Sequence, residues 1–154
     1  MLKLRPHQAE VVEKLAQGFA DGHRSQLLYA PTGFGKTEVA MAIMLEQAKQ
    51  LKNVAMVLDR IVLVNQTSTR LGNYGINHGV MQADHWRYRP YEKIQVCSAQ
   101  TLESRANFPE VSMLIIDECH VQRKQIVQFI KDRPDMKVIG LTATPFTNGL
   151  GDVY

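Results

Sequence analysis

The chain has 154 residues, 45% hydrophobic and 21% charged, which suits one domain with its own core and excludes a disordered or low-complexity protein. A net charge of +3 tolerates a polyanionic partner without demanding one. Apolar runs such as "MLII" are too short for a membrane span, and "MLKLRPHQ" lacks the apolar core of a signal peptide.

Taken in chain order, "QLLYA" (26–30) is a short apolar run that leads into the Gly-containing loop "APTGFGKT", and "KTEVAMAIMLEQAKQLK" (36–52) repeats apolar residues at helical spacing. The alternation then continues. "NVAMVLD" (53–59) reads as a buried strand, "LVNQTSTRLGN" (63–73) as a helix, "KIQVCS" (93–98) as a strand and "AQTLESRA" (99–106) as a short helix. "VSMLIID" (111–117) is the most apolar strand, "RKQIVQFIKDR" (123–133) a helix that stops before Pro134, and "KVIGLTAT" (137–144) the last strand. Strands that alternate with helices and are apolar on both faces imply a parallel sheet with helices on both sides. The stretch 82–93, "QADHWRYRPYEK", lacks periodicity and reads as a surface loop whose aromatics pack back on the domain, although its mixture of rings and cations also suits a single-strand surface. Cys97 and Cys119 have neither C-x-x-C spacing nor a secretory setting, and read as reduced thiols of a cytoplasmic protein.

"APTGFGKT" differs from the pattern G-x-x-x-x-G-K-[ST] only by Ala30 at its first position. A loop between a strand and a helix N-terminus aims backbone N–H groups and the positive end of the helix dipole at one point, which suits phosphate. Gly33 and Gly35 allow close approach, Lys36 supplies a charge for β- and γ-phosphates, and the Thr37 hydroxyl suits Mg²⁺. The methyl group of Ala30 is a small change if its φ is negative. In "LIIDECH" an apolar strand carries Asp117 and Glu118 toward the edge where open α/β sheets bind ligands. Asp117 there would serve the Mg²⁺ shell and Glu118 the attacking water. Alone, the pair could be a solvated acidic turn; its combination with Lys36 and Thr37 points to phosphoryl transfer. Cys119 and His120, adjacent and without a second pair, are poor zinc spacing.

These motifs, in this order and over nearly the whole chain, resemble the first RecA-like domain of a superfamily 2 helicase of the DEAD/DEAH-like group. Within it the chain is most similar to helicases with the type III restriction subunit domain and to phage-type DNA helicases. "LRPHQ" resembles the adenine-sensing element, "APTGFGKT" motif I, "LDRIVLVNQ" motif Ia, "CSAQTL" the Q-T-L element, "DECH" motif II and "LTATP" motif III. The resemblance implies a RecA-like P-loop NTPase fold and ATP with Mg²⁺. In it Gln8 reads adenine, with Arg5 beside it, and Pro31, Thr32, Gly33, Phe34, Gly35, Lys36 and Thr37 form the nucleotide loop. Lys36, Asp117 and Glu118 are the catalytic set, and Thr37 and Asp117 hold the metal. His120, Thr142 and Thr144 couple the γ-phosphate site to nucleic acid, which Arg60, Gln100 and Thr101 contact.

In the family, ATP lies between two RecA-like domains and an arginine of the second completes the site. No such domain follows "LTATP" here, so residues 1–154 are expected to be the N-terminal, ATP-binding domain of a longer helicase or translocase, acting on DNA rather than RNA. A stand-alone nucleotide-binding module without turnover is the alternative. A small-molecule kinase fits less well, because "DECH" carries the water-activating Glu118 and nothing resembles an acceptor lid.

Overall fold

The computed structural model describes residues 2–143 except Thr32, Ala83, Asp84, Ala106, Asn107, His120 and Gln122. Its elements are α1 (Pro6–Ala20), β1 (Ser25–Tyr29), α2 (Lys36–Lys49), β2 (Val54–Leu58), α3 (Ile61–Asn73) and β3 (Gly79–Met81), then β4 (Ile94–Ser98), α4 (Ala99–Arg105), β5 (Met113–Ile116), α5 (Lys124–Asp132) and β6 (Lys137–Thr142). The strands form one sheet in the order β1-β6-β5-β2-β4-β3, every neighbouring pair parallel.

Side chains alternate between two cores, as the pleat requires. Val54, Met56 and Leu58 of β2 face a cluster with Leu15 of α1, Val39, Ile43 and Met44 of α2, and Val64 and Leu71 of α3. Ala55 and Val57 face the other cluster, with Leu102 of α4 and Ile126, Phe129 and Ile130 of α5. The expected parallel sheet with helices on both faces is the fold observed.

Four details differ from the sequence reading. First, α2 ends at Lys49 rather than continuing through Lys52. The chain turns through a Schellman motif, in which Lys52 N–H donates to Gln47 O and Leu51 N–H to Ala48 O, both at 3.0 Å. Leu51, a good helix former, occupies the left-handed position at φ 60° where glycine is usual. Second, β3 has only three residues, too few for a periodic signal. Third, β1 lies at the sheet edge and leaves Leu27 and Tyr29 exposed, so it is not covered on both faces.

The fourth difference is the segment after β3, whose aromatics do not pack back. Trp86 is 74%, Tyr88 55% and Tyr91 76% exposed. The edge beside β3 is already taken by loop backbone. Val80 N–H donates to Arg87 O at 2.9 Å, and a Cβ on Gly79 would stand 2.4 Å from Arg89 O.

Candidate functional site

Parallel strands bring all their C-terminal ends to one edge, so the loops that follow them line a single rim in sheet order. That order is the loop after β1, then Thr142 at the end of β6, Asp117 and Glu118 after β5, Asp59 and Arg60 after β2, and Gln100 and Thr101 after β4. Residues far apart in sequence thus become neighbours. The two strands that carry the glycine loop and the carboxylates are separated only by β6, about 10 Å at the usual strand spacing.

The glycine loop is held from below by α1. Gln8, buried at the third position of that helix, accepts from Arg5 N–H at 2.9 Å and donates from its amide to Phe34 O at 3.0 Å and Gly35 O at 3.2 Å. Arg5 Nη2 donates to Phe34 O at 3.0 Å. Gly35 has φ 83°, and a Cβ there would stand 2.2 Å from Gln8 Nε2, so both conformation and space require glycine. Gly33 also has positive φ, 88°. Pro31 accepts the turn-closing hydrogen bond from Phe34 N–H at 3.0 Å, and the Phe34 ring meets His7 edge-on at 5.1 Å. Ala30 is buried, its N–H donates to Thr142 O at 2.8 Å, and its φ is not positive, so the methyl group is accommodated. Thr32, His120 and Thr144 lie outside the described residues.

Lys36 opens α2 and reaches the carboxylates, with Nζ 2.9 Å from Asp117 Oδ1 and 2.8 Å from Glu118 Oε1. Burial opposes its charge, yet hydrogen bonds and Coulomb attraction from Glu118 and Asp117 outweigh that and hold its pKa above the ordinary value. β5 ends at Ile116, so both acids stand in the turn rather than on the strand. Asp117 is buried, anchored by its N–H to Val57 O at 2.9 Å, and its Oδ1 has no aligned hydrogen bond beyond the ion pair with Lys36. Glu118 has φ 53°, a region that a non-glycine residue occupies at a cost of order 1–3 kcal/mol and that concentrates at working sites. Thr37, half-buried in the first turn of α2, is the nearby hydroxyl. A hydroxyl and a carboxylate short of partners are the hard oxygen donors that Mg²⁺ takes alongside phosphate and water.

A polar cavity of about 510 Å³ joins this cluster to α3, lined by Lys36, Thr37, Asp117 and Glu118 on one side and by Arg60, Gln66, Thr67 and Arg70 on the other. Gln66 closes the stretch that resembles motif Ia but carries no role in the sequence reading, and Thr67 and Arg70 were not foreseen, because they sit on an ordinary amphipathic helix with no motif of their own. Arg70 pairs with Glu38 beside Thr37, and Arg123 pairs with Asp59, tying the turn after Glu118 to the end of β2. Arg60 and Gln100 are exposed on the rim, and Thr101 N–H donates to Ser98 Oγ at 3.4 Å. Glu103 of α4 caps α5, accepting from Gln125 N–H at 2.7 Å and Ile126 N–H at 3.2 Å. Among the described residues no cluster of three or more His, Cys, Asp or Glu could hold a metal ion by itself.

The chain is 26% identical over 132 residues to the chromosomal replication initiator protein DnaA of Helicobacter pylori (strain Shi470), a match over 86% of this chain and 28% of that protein. The corresponding protein of Helicobacter acinonychis (strain Sheeba) matches at the same identity and coverage. The chain therefore spans little more than a quarter of these curated relatives. Among solved structures it is similar to the UvsW helicase from Bacteriophage T4, with TM-score 0.77 and 15% identity over 96% of this chain and 56% of that one. It is also similar to the Sulfolobus solfataricus SWI2/SNF2 ATPase core in complex with dsDNA, with TM-score 0.73 and 19% identity over 99% and 34%. A nuclease-deletion mutant of the Type ISP restriction-modification enzyme LlaGI, in complex with a DNA substrate mimic, gives TM-score 0.71 and 19% identity over 93% and 18%. At such identities these structures speak for the fold. Family membership rests on residues 1–147, which match the family described as "Type III restriction enzyme, res subunit": the chain belongs to it, as the first RecA-like domain of a superfamily 2 helicase.

Proposed function

We propose that this domain binds Mg-ATP on the loop from Pro31 to Thr37 and hydrolyses it together with a second RecA-like domain, driving movement along nucleic acid, DNA rather than RNA. The observation that carries this reading is the convergence of Lys36 on Asp117 and Glu118 at 2.9 and 2.8 Å. A phosphate-loop cation and two acids meet at one point of the rim, beside the N-terminus of α2.

In this reading Lys36 exchanges its carboxylate partners for the β- and γ-phosphate oxygens, and the backbone of Gly33, Phe34 and Gly35 cradles the phosphates. Thr37 and Asp117 hold Mg²⁺, which when bound neutralises phosphate charge. Glu118, released from Lys36, orients the attacking water and takes its proton. Gln8 and Arg5 stand on the adenine side, where the second lone pair of Gln8 Oε1 would accept from the base amino group while its amide keeps its bonds to the loop carbonyls. Thr142 sits between the glycine loop and the acids, the position from which phosphate state is passed along the rim. With His120 and Thr144 it completes the proposed coupling set. Arg60, Gln100 and Thr101 contact the nucleic-acid backbone and carry no base information. The charge that develops in the transition state calls for a further cation, supplied in the family pattern by an arginine of the second domain. Among the described residues no helix is long and apolar enough to cross a membrane. A cytoplasmic setting belongs to the proposal.

Calorimetry with Mg-ATP and Mg-GTP tests the binding step. The expected result is a preference for ATP that Lys36→Ala abolishes; undiminished binding in that variant would remove the phosphate-loop assignment.

A further inference from the structure

Three large aromatics stand exposed within six residues, Trp86, Tyr88 and Tyr91, interleaved with Arg87, Arg89 and Lys93. Against those three cations the segment 85–93 carries one carboxylate, Glu92. Exposed rings beside cations leave a polyanion with flat, stackable bases as the matching partner.

The segment is held rather than loose. His85 N–H donates to Gln82 O at 2.9 Å, Arg87 N–H to His85 Nδ1 at 3.0 Å, and Gln95 Nε2 to Arg89 O at 2.8 Å and Glu92 O at 2.9 Å. Because His85 Nδ1 accepts, its Nε2 carries the proton and donates to Asn65 Oδ1 of α3 at 3.2 Å. That bond fixes the place of the segment. Asn65 is one turn into α3, whose start is at the rim beside Arg60, and Ile61 and Val62 in its first turn are themselves exposed. The indole of Trp86 stacks near His85 with centroids 5.7 Å apart, and the Arg87 guanidinium stands 4.8 Å from the ring centroid. These neighbours orient the indole, and the residue still remains 74% exposed.

We infer that the segment His85 to Lys93 is a stacking platform for single-stranded nucleic acid, with Trp86 as its base-contacting residue: it starts at the rim, where the track from Arg60 arrives, and runs back along the outer edge of β3 toward the start of β4. This rests on the nucleic-acid reading of the domain and adds the strand class and a second contact point. A ring ordered before binding loses little freedom when a base stacks on it. Stacking on an aromatic face is tolerant of sequence, so the platform would discriminate single strands from duplex rather than one sequence from another.

Trp86 is the only tryptophan of the chain, so its fluorescence reports the platform directly. The 154-residue chain is titrated with an unlabelled thymidine oligonucleotide and with a duplex of equal length, over a salt series. Affinity is measured in parallel by anisotropy of labelled strands for the wild type, Trp86→Ala, Trp86→Phe and Arg60→Ala. The expected result is saturable quenching by the single strand, weakened by salt, with affinity falling about fivefold or more in Trp86→Ala and less in Trp86→Phe. Trp86 is exposed, so a loss of fold does not account for such a change; circular dichroism of each variant checks it. An unchanged affinity in Trp86→Ala with a loss in Arg60→Ala overturns the platform and leaves the rim reading standing, assigning the exposed rings to some other partner. Tighter binding of duplex than of single strand also overturns it. Absence of binding by the wild type at every salt concentration overturns both.

Discussion

The side-chain amide of Gln8 donates to the carbonyl oxygens of both Phe34 and Gly35, which ties the first turn of α1 to the loop that precedes Lys36. A residue expected to read the base is therefore also part of the support of the phosphate loop. Both bonds are common to any nucleotide, and each is worth about 0.5–1.5 kcal/mol. Gln8→Ala is accordingly expected to weaken Mg-GTP binding several-fold and Mg-ATP binding by more, in the same calorimetric assay. An unchanged GTP affinity would contradict the support role, and equal losses on both nucleotides would contradict the adenine contact.

Leu51 offers a test of the fold that is independent of function. It is 77% exposed and sits at φ 60° in the Schellman turn after α2, so glycine there relieves the left-handed strain and gives up little burial. The strain is about 1–2 kcal/mol and the added chain freedom of glycine about 0.5–1 kcal/mol in the opposite sense. Leu51→Gly should therefore stabilise by about 0.5–1 kcal/mol, a rise in Tm of roughly 1–4 °C for a domain of this size. A lower urea midpoint in this variant would show that the turn is not strained.

His78 makes stability depend on pH. It is fully buried, with Nε2 2.7 Å from Ser68 Oγ and Nδ1 2.9 Å from Ile76 O. Burial pushes its pKa below the ordinary 6.5, against the Ile76 carbonyl and with help from Arg87 and Arg89. The unfolded chain thus binds this proton more tightly than the folded one. Stability is full above pH 6.5 and falls as pH drops from there toward the folded pKa. The urea midpoint should decline between pH 7.5 and pH 5, and decline less in His78→Gln; a midpoint that rises over that interval would contradict the assignment.

Both cysteines are free and buried, and burial pushes each thiol up to about 12. For Cys119 the neighbouring Asp117 and Glu118 add to that shift. Neither should react with a disulfide reagent at pH 8 until the domain opens, and both should react in urea. Rapid labelling of Cys119 in the native protein would mean that the turn after β5 opens far more readily than its N–H bond to Leu141 O at 3.0 Å implies.

The parallel sheet was legible because β2 and β5 are apolar runs buried on both faces, and a buried strand has few other sequences open to it. Lys36, Asp117 and Glu118 were legible because each sits in a short contiguous motif whose chemistry constrains its residues. What escaped was decided by tertiary packing. Glu38 and Arg70 are 32 residues apart and Asp59 and Arg123 64 apart, and nothing local marks either pair. The end of α2 was misread for a similar reason, since Leu51 has helical propensity and only the Schellman bonds dictate its left-handed turn. The aromatics of the segment after β3 were expected to pack inward, the usual fate of such rings, whereas the bonds that pin the segment along β3, from Val80 N–H to Arg87 O and from Gln95 Nε2 to Arg89 O, leave the rings exposed, and nothing local marks those bonds.

Steady-state phosphate release is the most direct test of the claim that Lys36, Asp117 and Glu118 form one half of an ATP-driven motor. An arginine from the second domain is worth ~10³–10⁵ in rate. The account predicts very slow release by the 154-residue chain, with or without nucleic acid. Joining it to a second RecA-like domain should restore turnover, which Glu118→Gln then abolishes while ATP stays bound. Robust release by the chain alone, stimulated by nucleic acid and lost in Glu118→Gln, would contradict it by showing the site complete without a second domain.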